Sequence, residues 1–466
     1  MTKRIFSICI ILMAYPLNAQ QPSLAGDWHL EQQRIRSHRG ESGEEFLRGY
    51  SEGLDLEIFP GHRFSAGTDS GRWIFSNGYL LAIQETHIDS LALNEGGDSF
   101  TFANSNSFGS PSESIRESGF TVALKRPSED PTSVQVAGDW VLLRQSLQFS
   151  EIDEDGSVTA NLLEVNHNRT DIDLDVSGTL QGEVVTDTES PENQGTMLSG
   201  TWLMNDGEFS ALVGGETMSR PNLSAGGDLI IHGQEDSLEN GNETLLGTTT
   251  EIWLKRPDSL AISDVVGSWG LAGSMIEVLP DTGSNTLELV DIGIQNARIA
   301  FNLDGTGTIS NLNSETVLRS DPAQNLTWTI DSKEIVVNAG GRIFRFTMSA
   351  GKDFAGLLKS ELDPDSNVRR FDFFALSKLP KTPGFAADAA NGSLSGPSGI
   401  NPVVALTIQS VEGIPYQVQE SANLADWITR SAPIVGTGEK ITSTFEAISA
   451  GTRFYRWKLL PLGEAP

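Results

Sequence analysis

Carboxylates are the residues of this chain that could do chemistry. Asp and Glu together number 62, against 32 Lys and Arg and 6 His. Two carboxylates held roughly 5–10 Å apart would suit glycoside hydrolysis, but a sequence so rich in acids singles out no pair. EIDEDGSV sets Glu151, Asp153 and Asp155 before Gly156, like half of a calcium loop. Its twelfth position is Leu162, where a calcium hand needs a bidentate Glu, so an acidic hairpin turn is the expectation. Asp171, Asp173 and Asp175 share one strand face, as a solvated edge does. The histidines His29, His38, His62, His87, His167 and His232 form no His–His pair at ligand spacing. No zinc helix, nucleophile elbow, phosphate loop or dinucleotide fingerprint is present. The expectation is therefore no catalytic residue, no metal and no cofactor.

The composition narrows the setting. A formal charge of -30 repels nucleic acid and anionic lipid. Lys3 and Arg4 precede the apolar run IFSICIILMAYPL and the small residue Ala19, so residues 1–19 read as a secretory signal too short to anchor. The single cysteine, Cys9, lies inside it, which leaves no disulfide or thiol chemistry for the mature chain. A secreted, periplasmic or cell-surface location and no integral membrane anchor follow as expectations.

What must position any site is a repeated unit. Gly26-x-Trp28, Gly138-x-Trp140 and Gly267-x-Trp269 each begin a hydrophobic run. A second tryptophan follows at Trp73, Trp202 and Trp328. Turns ending in Asp98, Asp228 and Asp353 come 25, 26 and 25 residues later. Each unit closes with VALKRP, IWLKRP or FALSKLP. Four landmarks in constant order mark tandem units at 20–127, 132–257 and 261–380. Within them the period is two. Leu326, Trp328 and Ile330 share a face, as do Ile299, Phe301 and Leu303, and Ile172, Leu174 and Val176. Asp304-Gly305 marks a hairpin. GEEFLRGYSEG, from Gly43, is the one stretch that reads as a short helix or a loop. About eight strands fit each unit, enough to close a barrel that is filled or holds one small ligand.

Parity along the closing strands puts Arg126, Arg256 and Lys378 on the apolar face. If first and last strands are neighbours, each cation would meet a tryptophan ring: Trp28 with Arg126, Trp140 with Arg256, Trp269 with Lys378. A Gly-x-Trp first strand with a cation on the last strand resembles the lipocalins and the wider calycin group. The third unit, with DGTG and a central Trp, is most similar to bacterial lipocalin-like domains. The Thr-Asp-Tyr motif of kernel lipocalins is absent, and Lys378 stands where Arg is expected. The resemblance implies up-and-down barrels, each with a cup open at one end. It implies small apolar ligands and transfers no catalytic residue.

After Pro380, residues 381–400 are rich in Gly, Ala, Ser and Pro and read as a linker. Residues 401–461 alternate again. Their Y-x-V-x-x-S-x-N-L-x-x-W pattern, from Tyr416 to Trp427, is similar to a β-sandwich module on secreted proteins of Verrucomicrobia and related bacteria. The expectation is an all-β protein: three tandem lipocalin-like antiparallel barrels followed by a small β-sandwich. Its expected role is a secreted, non-catalytic binding or cell-envelope protein. A small apolar ligand, a glycan or a surface protein is the expected partner. The alternative is an extracellular hydrolase of polysaccharide or ester substrates that works through paired carboxylates.

Overall fold

In the computed structural model the chain is built almost wholly of antiparallel strands. The structure describes residues 24–380 and 403–462 apart from positions 40–44, 60–61, 68, 77–78, 86–87, 111–112, 155–156, 189, 206–207, 214–215, 220, 241–242, 281–286, 312–322, 423–425 and 447–453. Residues 1–19, read as a signal, residues 381–400, read as a linker, and the Asp155-Gly156 centre of the expected acidic hairpin lie outside the described residues.

Strand pairing closes on itself at three places. Gly26–Arg39 pairs with both Glu45–Phe59 and Glu113–Lys125, closing an eight-stranded barrel. Gly138–Glu154 pairs with both Ser157–Leu174 and Glu243–Lys255. Gly267–Pro280 pairs with both Leu287–Phe301 and Arg369–Lys378. Among the described residues, one strand bridge, Leu162 to Leu287, joins the second ladder to the third. Closure of this kind reduces the free strand edges that favour edge-to-edge association.

The Gly-x-Trp landmarks sit where each ladder starts. Gly26, Gly138 and Gly267 have φ of 137°, 135° and 138°, a region closed to other residues. A Cβ at Gly26 or Gly138 would also press on Lys125 or Lys255, while at Gly267 it would only touch Lys378. Two residues on, the tryptophans are fully buried. Each indole N–H donates to the carbonyl four residues earlier: Leu24 at 3.0 Å, Val136 at 2.8 Å and Val265 at 2.8 Å. In the second and third ladders that carbonyl ends a one-turn helix, Ser133–Val136 and Ile262–Val265.

The cations opposite the tryptophans are not all those that parity selects. The register pairs Trp28 with Lys125, Trp140 with Lys255 and Trp269 with Lys378. Lys378 Nζ lies 5.8 Å from the Trp269 ring centre. Arg126 and Arg256 instead reach Asp55 at 2.6 Å and Asp171 at 2.7 Å. The reason is that the closing strands are buried on both sides. Val122, Leu124, Ile252 and Leu254 pack outward in one cluster with Val141, Leu143, Phe373 and Ala375. A strand buried on both faces reads as a continuous apolar run, so parity cannot say which side faces the barrel interior.

GEEFLRGYSEG is corrected outright: Glu45–Phe59 is a strand, paired along its length with Gly26–Arg39. Fourteen cross-strand partners outweigh a weak helical propensity. Gly49 in this strand lies against the Phe149 ring and Thr248 of the second ladder, which occupy the space a Cβ would need. Gly49→Val is expected to cost on the order of 1–3 kcal/mol by overpacking, read as a lowered denaturation midpoint.

By compactness the chain divides into residues 22–58 with 91–380, and residues 59–90 with 381–466. In the second unit, Val403–Gln409 pairs with Lys440–Glu446. Pro415–Ser421 pairs with Phe454–Leu459, Ile428–Thr429 and Ile434–Val435. Ile408, Tyr416, Val418 and Leu460 are buried there. The Leu462 amide donates to the Gln84 carbonyl at 2.8 Å, and Gly413 stands against the Arg72 guanidinium.

Candidate functional site

The third ladder encloses a cup. One end is stopped by Trp269, Trp328 and Val265, which are buried in one cluster with Phe301 and Met348. Above this floor, inward side chains leave a cavity of about 250 Å³. Leu271, Ile299, Leu326, Val337, Phe346 and Phe374 form its apolar wall. Gln295, Asn311, Gln324, Arg342 and Arg370 add polar groups to the lining. Strand alternation produces this grading: along the last strand, Leu376, Phe374, Asp372 and Arg370 fall on one face.

The two guanidiniums are fixed rather than loose. Asp372, 1 % exposed, accepts from Arg370 Nε at 2.6 Å and from Arg342 at 3.2 Å. Glu361 takes Arg342 at 2.9 Å, and Arg342 and Lys359 stand over the Phe344 ring at 5.4 and 5.0 Å. Arg N–H groups beyond those in the ion pairs, with the three amides, can meet a polar ligand head. Among the described residues, no carboxylate lines this cup.

The second ladder is different inside. Trp253 occupies the position that Leu376 holds in the third, and it packs on Phe209, itself stacked on Trp202, at centroid distances of 5.9 and 6.0 Å. Glu251, fully buried, adds an ionic plug: Arg144 Nε donates to it at 2.6 Å and Trp253 Nε1 at 3.2 Å. Burial works against its charge, but His232 and Arg144 hold the Glu251 carboxyl below its ordinary range.

The convergent carboxylates of this chain are elsewhere. The turns that carry Asp98, Asp228 and Asp353 meet, and each Asp accepts from a neighbouring turn. Gly226 N donates to Asp98 at 3.2 Å, Gly351 N to Asp228 at 2.8 Å, and Gly96 N to Asp353 at 2.9 Å. Asn94 Nδ2 bridges Asp98 and Asp353 at 2.6 and 2.9 Å. The backbone of each turn is further locked to its own closing strand, where Lys125, Lys255 and Lys378 donate to the Asp carbonyls at 2.7, 2.9 and 2.7 Å. Burial, then the charges of Asp98 and Asp228, push Asp353 up to about 7. Burial first, and then Asp228, raise Asp98 as well. This ring of hydrogen bonds ties the three turns together.

Of the residues singled out by sequence, Gly26, Gly138, Gly267, Trp28, Trp140, Trp269 and Lys378 serve the ladder starts. Arg126 and Arg256 serve the outward ion pairs. None of them lines the third cup. The cup residues carry no motif of their own and were reachable only through strand parity. Asp171, read as part of a solvated acidic face, is the partner of Arg256 and lies 3.8 Å from Arg169. His167 is fully buried; burial holds its pKa down at about 3, and its Nε2 meets the Gln145 amide at 2.9 Å. His29 lies between Glu31 at 2.8 Å and Asp55 at 3.1 Å. Among the described residues, no group of three or more His, Cys, Asp or Glu is arranged to hold a metal ion. No described helix is long and apolar enough to cross a membrane.

No protein-family model matches the chain, and no curated protein matches it in sequence. Among solved structures it is similar to transferrin-binding protein B of Haemophilus parasuis, a double mutant, at 7 % identity and TM-score 0.22, over 77 % of each chain. Intact Ap-TbpB, with N and C lobes, matches at 6 % identity and TM-score 0.21, over 76 % of this chain and 78 % of that one. The isotype 1 protein of Neisseria meningitidis matches at 11 % identity and TM-score 0.20, over 74 % and 63 %. Transferrin is the partner that those proteins are named for.

Proposed function

We propose that this chain is a secreted, non-catalytic binding protein of three lipocalin-like units. Its third unit holds a compact ligand with an apolar body and a polar head. The observation that carries this reading is the cavity of about 250 Å³, with an apolar wall and a lining that includes two fixed guanidiniums and three amides. Apolar sites with a few placed polar groups are the usual form of small-molecule pockets. The volume falls below the roughly 300–1,000 Å³ of drug-sized sites, so the occupant is small: a medium-chain alcohol or acid, or a single substituted ring.

Octanol and octanoate are suitable probes. Calorimetric titration of the full chain is expected to give saturable one-to-one binding of at least one of them. Val337→Trp, which fills the cavity from its wall, is expected to abolish that binding. Ile309→Trp, at a half-buried lining position, tests the same space with less disturbance of the core. Binding that survives both variants would place the ligand elsewhere.

A further inference from the structure

Within the compact unit of residues 22–58 and 91–380, a second, open cavity of about 500 Å³ lies between residues of the second and third ladders. Its lining presents Arg169, Arg256, Lys333 and Arg345 against Asp139 and Glu334. The lining thus carries four cations and two acids, and with the two acids behind it the groove is locally balanced, in a chain of formal charge -30. Those two acids hold the guanidiniums without lining the groove. Asp171 takes Arg256 at 2.7 Å, and Asp331 takes Arg345 at 2.9 Å. Glu334 joins the two walls, 2.6 Å from Arg169 and 3.6 Å from Arg345.

Three guanidiniums are therefore pinned in place. Each has five N–H donors, and the ion pairs use only some of them. Arg169 Nε is buried with no hydrogen-bond partner. Lys333 has no acid within ion-pair distance among the described residues. It sits with Ser332 in a two-residue hairpin between Asp331 and Glu334, both at positive φ, 71° and 51°. Such turns ordinarily take Asn-Gly. Two non-glycine residues held in this conformation fit a place where a side chain is wanted more than an easy turn.

We infer that this groove binds an acidic polysaccharide through its carboxylate or sulfate groups. Pinned, forked donors match planar or tetrahedral oxyanions at little ordering cost. The alternatives fit less well. A docking peptide relies on apolar pockets for specificity, whereas Val185 is the sole aliphatic residue among the described lining residues. Single-stranded nucleic acid needs stacking aromatics, and the described lining residues include none. The net charge gives the assignment its sharpness: a polyanion is repelled by the protein as a whole, so attraction must be local.

The test is calorimetric titration of the full chain at low ionic strength. The probes are polygalacturonate, dextran sulfate, neutral dextran and polyglutamate. At least one acidic glycan is expected to bind, with affinity that falls as salt rises, while dextran and polyglutamate do not. Preference between the first two identifies carboxylate or sulfate as the group recognised. Lys333→Gln with Arg345→Gln is expected to weaken binding at least tenfold while leaving octanol binding in the third cup unchanged. Arg345 is half exposed and Lys333 is at a hairpin tip, so the double variant keeps the fold. No binding of either acidic glycan would overturn the inference. So would unchanged affinity in the double variant, or polyglutamate binding as tightly. Each result is independent of whether the cup binds octanol.

Discussion

Asp353→Asn is expected to remove a loss of stability that the native chain suffers as pH rises from about 4 to above 7. The carboxyl of Asp353 goes from 3.8 in a free chain to about 7 in the folded one. Across that window the folded state holds a proton that the unfolded state has released. The contribution is therefore fully present below the unfolded value and is lost as pH rises through the folded one. A shift of this size is worth on the order of 2–4 kcal/mol once partial solvent access is allowed for. Other acids work the opposite way: Asp264, beside Lys352, and Glu251 are held below their ordinary values and favour folding at higher pH. The decisive quantity is thus the difference between native and variant chains. Urea midpoints at pH 4.5, 6 and 8 should diverge, the variant gaining on the native chain as pH rises. Parallel curves would mean that the three turns do not meet as described. An asparagine keeps an acceptor for Gly96 N and adds a donor for Asp98, so the ring survives without its third charge.

Trp140→Ala is expected to cost about 3–5 kcal/mol, among the largest effects of any single truncation in the chain. The ring is fully buried in one cluster with Leu142, Ile172, Leu180, Trp202, Phe209 and Trp253. Its loss leaves a cavity that stiff paired strands cannot close. It also strips the Val136 carbonyl of its indole donor. Chemical denaturation measures the effect. Leu203→Ala, on the outward face of the same ladder and 55 % exposed, is the control, expected within about 0.5 kcal/mol of the native chain.

Much of the architecture was legible because side-chain demands repeat. Gly-x-Trp recurs since one backbone conformation and one buried indole are needed at each ladder start. The alternation of Leu326 and Trp328 gave strand and face together, and both are buried. Periodicity failed where strands stop: Leu303 and Val176 continue their patterns, yet they lie past Phe301 and Leu174 and are 73 % and 58 % exposed. It failed again where both faces are buried, which is why Arg126 and Arg256 were preferred to Lys125 and Lys255. The prolines offered the missing signal. Lys125, Lys255 and Lys378 each stand two residues before a proline, Pro127, Pro257 and Pro380, and alignment on those prolines selects the lysines directly.

The functional features were harder to read because they depend on packing between distant segments. Asp98, Asp228 and Asp353 were visible as landmarks, but nothing local says that three turns so far apart in sequence meet. The interiors differ at one matching position, Trp253 in the second ladder and Leu376 in the third. Both are merely apolar in a strand pattern. Arg342 and Arg370 look like surface charges until Asp372 is seen between them.

The most direct test of ligand binding in the third cup is native mass spectrometry of the chain purified from its own host, run beside Val337→Trp from the same source. The account predicts a small-molecule adduct on the native chain, one per protein, that is missing from the variant. A clean, adduct-free native chain, or an adduct carried equally by both, would contradict it.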